Sequence, residues 1–254
     1  MDERIISFEQ VTKRYGEKTA LSDLTFTVRR GDFFGYLGPN GAGKTTSIKA
    51  MIGLIRPDKG RVLVNGIDVA RDPTSVRSIV GFVPDSPFIY GKLTAREFLR
   101  FVGGLYRMDR TDIEKRIDWL ADIFEMHGWM DMRTEEYSHG MKQKVVMSAA
   151  FIHRPQLIIV DEPTVGLDPP SARLLKDMLL LIQKSGTTVF MSSHDLAVVQ
   201  ELCGHMALLH QGSIIAEGTL EELRTKAELE GGSLESLFMK LTGQTSKAAY
   251  LEGQ

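Results

Sequence analysis

The sequence predicts an α/β fold in which a mostly parallel core sheet carries an antiparallel β lobe and a helical lobe. Three observations lead there. The apolar run Phe33-Phe34-Gly35-Tyr36-Leu37 passes through a glycine-rich loop into a helical pattern at Ser47-Ile48-Lys49-Ala50-Met51. The run Leu157-Ile158-Ile159-Val160 is apolar at every position and ends on two carboxylates, Asp161 and Glu162, as expected of a parallel strand buried on both faces. A third buried strand, Thr188-Val189-Phe190-Met191, follows a helical pattern at Ser171 to Ile182, giving the strand and helix alternation of a parallel sheet.

The loop Gly38-Pro39-Asn40-Gly41-Ala42-Gly43-Lys44-Thr45-Thr46 has the spacing of a phosphate cradle. Gly38, Gly41 and Gly43 allow a turn whose N–H groups point inward at a helix N-terminus. Lys44 adds a charge for the β- and γ-phosphates, the Thr45 hydroxyl is placed for Mg²⁺, and Thr46 is placed for the α-phosphate. Asp161, at the ligand-facing end of its strand, is expected to hold Mg²⁺ through water. One residue on, Glu162 is the candidate to polarise the attacking water. These residues together predict hydrolysis of a nucleoside triphosphate.

At 254 residues the chain can bury a substantial core as one unit. We expect a single domain, with residues 1–84 and 154–218 forming the nucleotide-binding core and β lobe, 85–153 the helical lobe, and 219–254 a C-terminal helical tail. A net charge of −2 gives no support for a nucleic-acid partner. Cys203, the single cysteine, lies in an apolar pattern and reads as a small buried hydrophobe. The first residues lack a secretory signal and no stretch is apolar enough to span a bilayer, so the expected compartment is the cytosol.

Along the chain, Ile5 to Val11 and Leu24 to Val28 read as the strands of a hairpin, with Tyr15-Gly16-Glu17-Lys18 as the turn. Tyr15 is placed either to stack on an adenine face or simply to pack. Strands follow at Arg61 to Val64 and Val80 to Val83, then Pro84-Asp85-Ser86-Pro87 breaks the pattern. From Leu93 to about Met132 the sequence is helical, with Thr94 or Thr111 as N-cap and Ile113, Ile117, Leu120, Ile123 and Phe124 on one face. Trp119, Met126, Trp129, Met130 and Met132 are expected in that lobe's core. Ser138 caps the next helix, whose buried face is Val145, Val146, Ala149, Ala150 and Ile152, with Pro155 ending it. A helix at Leu196 to Cys203, strands at Met206 to Leu209 and Ile214 to Ala216, and a tail broken at Gly231-Gly232 and frayed from Gln244 complete the pattern. Phe88-Ile89-Tyr90 either lines a groove for a partner's helix or plugs the helical lobe.

In this motif order the chain resembles the nucleotide-binding subunit of an ATP-binding cassette (ABC) transporter, over nearly its whole length and within the P-loop NTPase class. The resemblance implies that Gly38 to Thr45 is the Walker A loop, Leu157 to Asp161 Walker B with Glu162 as catalytic glutamate, and Tyr15 the adenine-stacking aromatic. It likewise makes Ser138-His139-Gly140 the signature, Val165-Gly166-Leu167-Asp168 the D-loop, and His194 the switch histidine. The signature reads Tyr-Ser-His-Gly-Met where Leu-Ser-Gly-Gly-Gln is usual, and Asp85 stands where a glutamine that ligates Mg²⁺ is usual. Both variants resemble cassettes of multidrug or antibiotic exporters.

Ser138, Gly140 and a free helix N-terminus make a second anion site in a chain that already has one. Two such half-sites predict a head-to-tail dimer, or paired cassettes, with ATP between one chain's loop and the other's signature. His194, at the ligand edge of its sheet, is placed to contact the γ-phosphate and orient Glu162. His127, His139, His153, His205 and His210 have no metal-ligand spacing and read as structural or exposed, with His139 the one exception that merits a test. The implied assembly uses ATP and Mg²⁺, works with separate integral-membrane permease chains, and lies on the cytoplasmic face of the membrane. A soluble ABC-type ATPase acting on DNA or ribosomes is the alternative, and its relatives tend to carry twin cassettes, coiled coils or zinc-binding cysteines. A kinase or GTPase would leave the signature and His194 without roles.

Overall fold

The structure, a computed structural model, describes residues 3–86, 88–164, 169–226 and 238–239. Strands β1 (Arg4–Tyr15) and β2 (Lys18–Arg29) form an antiparallel hairpin that pairs Tyr15 with Lys18 across the turn. Both strands run beyond the expected limits, because past Val11 the hairpin is a largely solvated ribbon whose polar residues carry no alternation. β4 (Lys59–Val64) and the short β5 (Ile67–Asp68) complete a four-stranded sheet ordered β2-β1-β4-β5. With β3 (Phe33–Leu37), β6 (Val80–Val83), β7 (Leu157–Asp161), β8 (Thr188–Ser193), β9 (His205–His210) and β10 (Ser213–Gly218), a second sheet runs β10-β9-β3-β8-β7-β6. Its pairings are parallel except for β10 on β9.

That six-stranded sheet is a wall between two cores. Ile158, Val160, Val189 and Met191 face the core shared with the helical lobe, whereas Leu157, Ile159 and Phe190 face the core shared with the β lobe. The alternation follows from the period of two along a strand. It explains why β7 reads as unbroken apolar sequence.

In the helical lobe, α3 (Ala95–Leu105) opens with a complete capping box. Thr94 Oγ1 accepts from the Glu97 N–H at 3.1 Å and Glu97 Oε2 accepts from the Thr94 N–H at 2.9 Å. α4 (Arg110–Ile123) starts after Asp109, so Thr111 lies inside its first turn and caps nothing. Ile113, Ile117, Leu120 and Phe124 are buried as expected, while Ile123 is only half-buried. Met126 and Met130 enter the core and Trp129 packs partly against it. Trp119 and Met132 do not: both are exposed, Trp119 because it lies on the outer face of α4. α2 (Pro73–Ile79), capped by Asp72, was illegible because only Val76 is buried, too little for an apolar period.

α5 (His139–Phe151) begins at Ser138, whose Oγ accepts from the Met141 N–H at 3.3 Å, and it stops at Phe151, ahead of Pro155. Ala149 on this helix is half-buried. α6 (Pro169–Lys184) and α7 (Leu196–Leu202) cover the sheet, with Cys203 buried behind α7. α8 (Leu220–Lys226) is the first helix of the tail. The break at Gly231-Gly232 and the end from Gln244 lie outside the described residues.

Candidate active site

β3 is buried at all five positions, which delivers the loop after it to a fixed point at the sheet's C-terminal edge. There the backbone needs glycine. Gly43 sits at φ 116°, and a Cβ on it would come within 2.7 Å of the Ala20 carbonyl. α1 (Lys44–Met51) starts at once, so its free N–H groups face the loop. The buried Lys44 ammonium donates to the Gly38 carbonyl at 2.6 Å and lies 3.1 Å from Glu162 Oε1. A buried ammonium requires such partners.

β7 and β8 bring in the acids. Their register pairs Asp161 with Ser192, whose hydroxyl donates to Asp161 Oδ1. Thr45 Oγ1 donates to Asp161 Oδ2 at 3.3 Å. Burial pushes the Asp161 carboxyl above its ordinary range; the bonds from Ser192 and Thr45 oppose this, and the charges of Asp85 and Glu162 add to it. Glu162 holds a left-handed backbone, φ 50°, which is uncommon for a side chain of this kind. The Ser192 carbonyl accepts from its N–H at 3.1 Å, and its Oε2 lies 2.7 Å from His194 Nδ1 and accepts from the His194 N–H at 3.3 Å. His194 thus fixes one carboxylate oxygen of Glu162 while Lys44 faces the other.

These groups surround a cavity of about 300 Å³. Of the residues selected from sequence, Tyr15, Pro39, Asn40, Gly41, Gly43, Lys44, Thr45, Thr46, Asp85, Asp161 and Glu162 line it. Gly38 and Ala42 shape the loop without facing the cavity: Ala42 is buried, and a Cβ on Gly38 would collide with the Leu209 carbonyl. His194 reaches the site through Glu162. Ser138 and Gly140 do not line it, and Gly140 borders a separate small hollow beside α6. The Val165 to Asp168 stretch lies outside the described residues. Sequence reasoning missed Ser192, Lys18 and Ala20; the last two line the cavity, and the only hint of Ser192 was a serine pair ending an apolar strand.

Thr45, Asp161 and Asp85 offer hard oxygen donors, the chemistry that suits Mg²⁺. Among the described residues no cluster of three or more His, Cys, Asp or Glu side chains could hold a metal ion unaided.

A profile described as ABC transporter matches residues 21–165, more than half of the chain. The chain belongs to the ABC transporter family. Among its relatives is the ABC-type transporter ATP-binding protein EcsA of Bacillus subtilis, 36% identical over 94% of this chain and 96% of that one. The daunorubicin resistance ATP-binding protein DrrA3 of Streptomyces coeruleorubidus is 33% identical over 99% of this chain and 78% of its own. A solved ATP-binding subunit of an ABC transporter superposes with a TM-score of 0.88 at 34% identity, covering 94% and 99% of the two chains. A dimeric post-hydrolysis ATP-binding cassette bound to ADP and phosphate gives 0.77 at 26% identity, covering 85% and 98%. This ABC cassette therefore carries the family's ATPase fold.

Among the described residues of the cassette no helix is long and apolar enough to cross a membrane. Phe88 and Tyr90 are exposed, by 73% and 51%, and Tyr90 stands against exposed Phe101, whereas Ile89 packs inward.

Proposed function

We propose that this cassette binds ATP with Mg²⁺, closes head-to-tail on a second cassette, hydrolyses the nucleotide, and passes the motion to separate membrane-spanning chains of an exporter. One observation carries the reading: Lys44 and Thr45, Asp161 and Glu162, from two separate stretches of the chain, meet at one cavity at the sheet edge, and His194, from a third, holds Glu162 there. The loop N–H groups and Lys44 bind and neutralise the phosphates. Glu162, which lines the cavity and is held by His194, accepts a proton from the attacking water. Mg²⁺, held by Thr45 and Asp161 with Asp85 nearby, supplies charge stabilisation to the phosphates when bound.

The site is incomplete in one chain, since Ser138 and Gly140 lie apart from the cavity. That supports a dimer in which each signature completes the partner's site. The exposed Phe88, Tyr90 and Phe101 supply an apolar surface for the membrane chains, which supports a peripheral position for the cassette at the membrane's cytoplasmic face. Exporter character rests on relatives such as the daunorubicin resistance protein and on the His139 and Asp85 variants.

The test pairs two variants. Glu162→Gln should bind ATP, run as a dimer by size exclusion with light scattering, and hydrolyse about 10²–10⁴-fold more slowly. Adding Ser138→Arg should leave it monomeric. A dimer that forms equally without nucleotide, or a Gln variant at wild-type rate, refutes the mechanism. Isolation from the native membrane should bring down integral-membrane chains; recovery with ribosomes or DNA instead would support the soluble ATPase.

A further inference from the structure

A second cleft, of about 340 Å³, opens at the other end of β7 and shares no residue with the nucleotide cavity. Arg116 and Trp119 of α4, Phe151 at the end of α5, and Arg154, Pro155 and Ile158 shape it. The Arg116 guanidinium lies 3.9 Å over the Trp119 ring and donates through Nη2 to the Phe151 carbonyl at 3.1 Å. Its Nε–H is buried and has no hydrogen-bond partner. Among the described residues neither Arg116 nor Arg154 has a carboxylate within ion-pair distance, 4.0 Å. Burial, and then the neighbouring Arg154 guanidinium, push Arg116 down to about 10. A packed, stacked guanidinium with an unpaired donor, facing a second guanidinium and no acid, is an arrangement that an anion would relieve.

The walls supply the other half of the argument. Phe151, Pro155 and Ile158 are buried apolar groups at the cleft's floor, and Trp119 stands exposed at its side. A bare inorganic ion would leave this apolar surface unused, and the volume is at the lower end of small-molecule sites. We propose that the cleft binds a small organic anion, a carboxylate or phosphate held between the Arg116 and Arg154 guanidinium groups and joined to a flat apolar body that lies along Pro155 beside Trp119.

Calorimetric titration of the full chain, with the nucleotide cavity saturated by MgADP, uses phenyl phosphate, benzoate and inorganic phosphate as probes. Phenyl phosphate or benzoate should bind at one site, and the tighter of the two identifies the head group. Arg154→Gln and Arg116→Gln should each weaken that binding about tenfold or more, as expected when a charge-assisted bond is removed, and Trp119→Ala should weaken it too. Arg154 is exposed on a loop, so its variant reports even where Arg116→Gln perturbs folding. The proposal is overturned if neither organic anion binds up to about 10 mM, corresponding to roughly −3 kcal/mol. It is also overturned if Arg154→Gln leaves the affinity unchanged, or if inorganic phosphate binds as tightly as phenyl phosphate.

Discussion

Replacing Asp161 by asparagine should make the nucleotide-free protein more stable while destroying its activity. Asp161 is only 3% exposed and faces the charges of Asp85 and Glu162, so its carboxylate is held against both burial and repulsion. Asparagine has the same shape. Its Oδ1 still accepts from Ser192, and its Nδ2–H can donate to Thr45 Oγ1 once that hydroxyl rotates. Removing only the charge should therefore gain about 1–2 kcal/mol, or about 2–8 °C in unfolding midpoint for a chain of this size. The sign with pH follows from linkage. An acid whose folded pKa is raised binds more protons folded than unfolded, so wild-type stability falls as pH rises from the unfolded pKa through the folded one. The advantage of Asp161→Asn should be full at pH 7 and vanish in the acid range where both states are protonated. Adding MgATP should reverse the order, because the wild type alone keeps the carboxylate for the ion. Scanning calorimetry from acid to neutral pH measures this. A variant no more stable than wild type at pH 7 without nucleotide would refute the account of Asp161 as a destabilised acid.

His194→Ala removes the 2.7 Å partner of Glu162 and should lower kcat about 10–100-fold with KM for ATP nearly unchanged; steady-state kinetics showing an equal loss in KM would refute a positioning role. Asp85→Ala should lower ATPase activity several-fold but abolish its stimulation by the membrane chains in reconstituted vesicles, with Asp85→Gln restoring most of it; unchanged stimulation would make Asp85 a mere turn residue. Gly81→Val would drive a side chain into the Ala150 carbonyl at the contact of β6 with α5 and should cost at least about 2 kcal/mol, read as a lowered midpoint in thermal unfolding.

The phosphate loop and the Asp161-Glu162 pair were legible because each motif is contiguous and its chemistry follows from spacing along the chain. The hairpin, the capping box at Thr94 and the cap at Ser138 were local signals of the same kind. Ser192 was not, since its bond to Asp161 depends on the register of β7 against β8 across 31 residues. The left-handed backbone of Glu162 is equally silent, as nothing in a glutamate foretells it. Trp119 was misplaced for a related reason: a large apolar residue reads as core, and only the position of Arg116 one turn earlier, stacked on it, accounts for its place at the surface. In Phe88-Ile89-Tyr90 the middle residue packs against the core and the outer two are exposed, a split that the bare run of three apolar residues does not reveal.

The alternation of β7 and β8 between two cores has a consequence for how the chain folds. The core around α3, α4 and α5 includes Ile158, Val160, Val189 and Met191, which arrive later in sequence than those helices. Cut out as a fragment, the helical lobe would leave Phe124, Met147 and Phe151 without the wall they pack against, and it should remain a loose, helix-rich collapsed chain. The β lobe is in the same position, since Phe8, Phe26 and Phe34 stack toward Phe190. During synthesis neither half can close before β8 emerges, so the first 187 residues must wait for the next six, and the two lobes should then unfold together in a single cooperative transition.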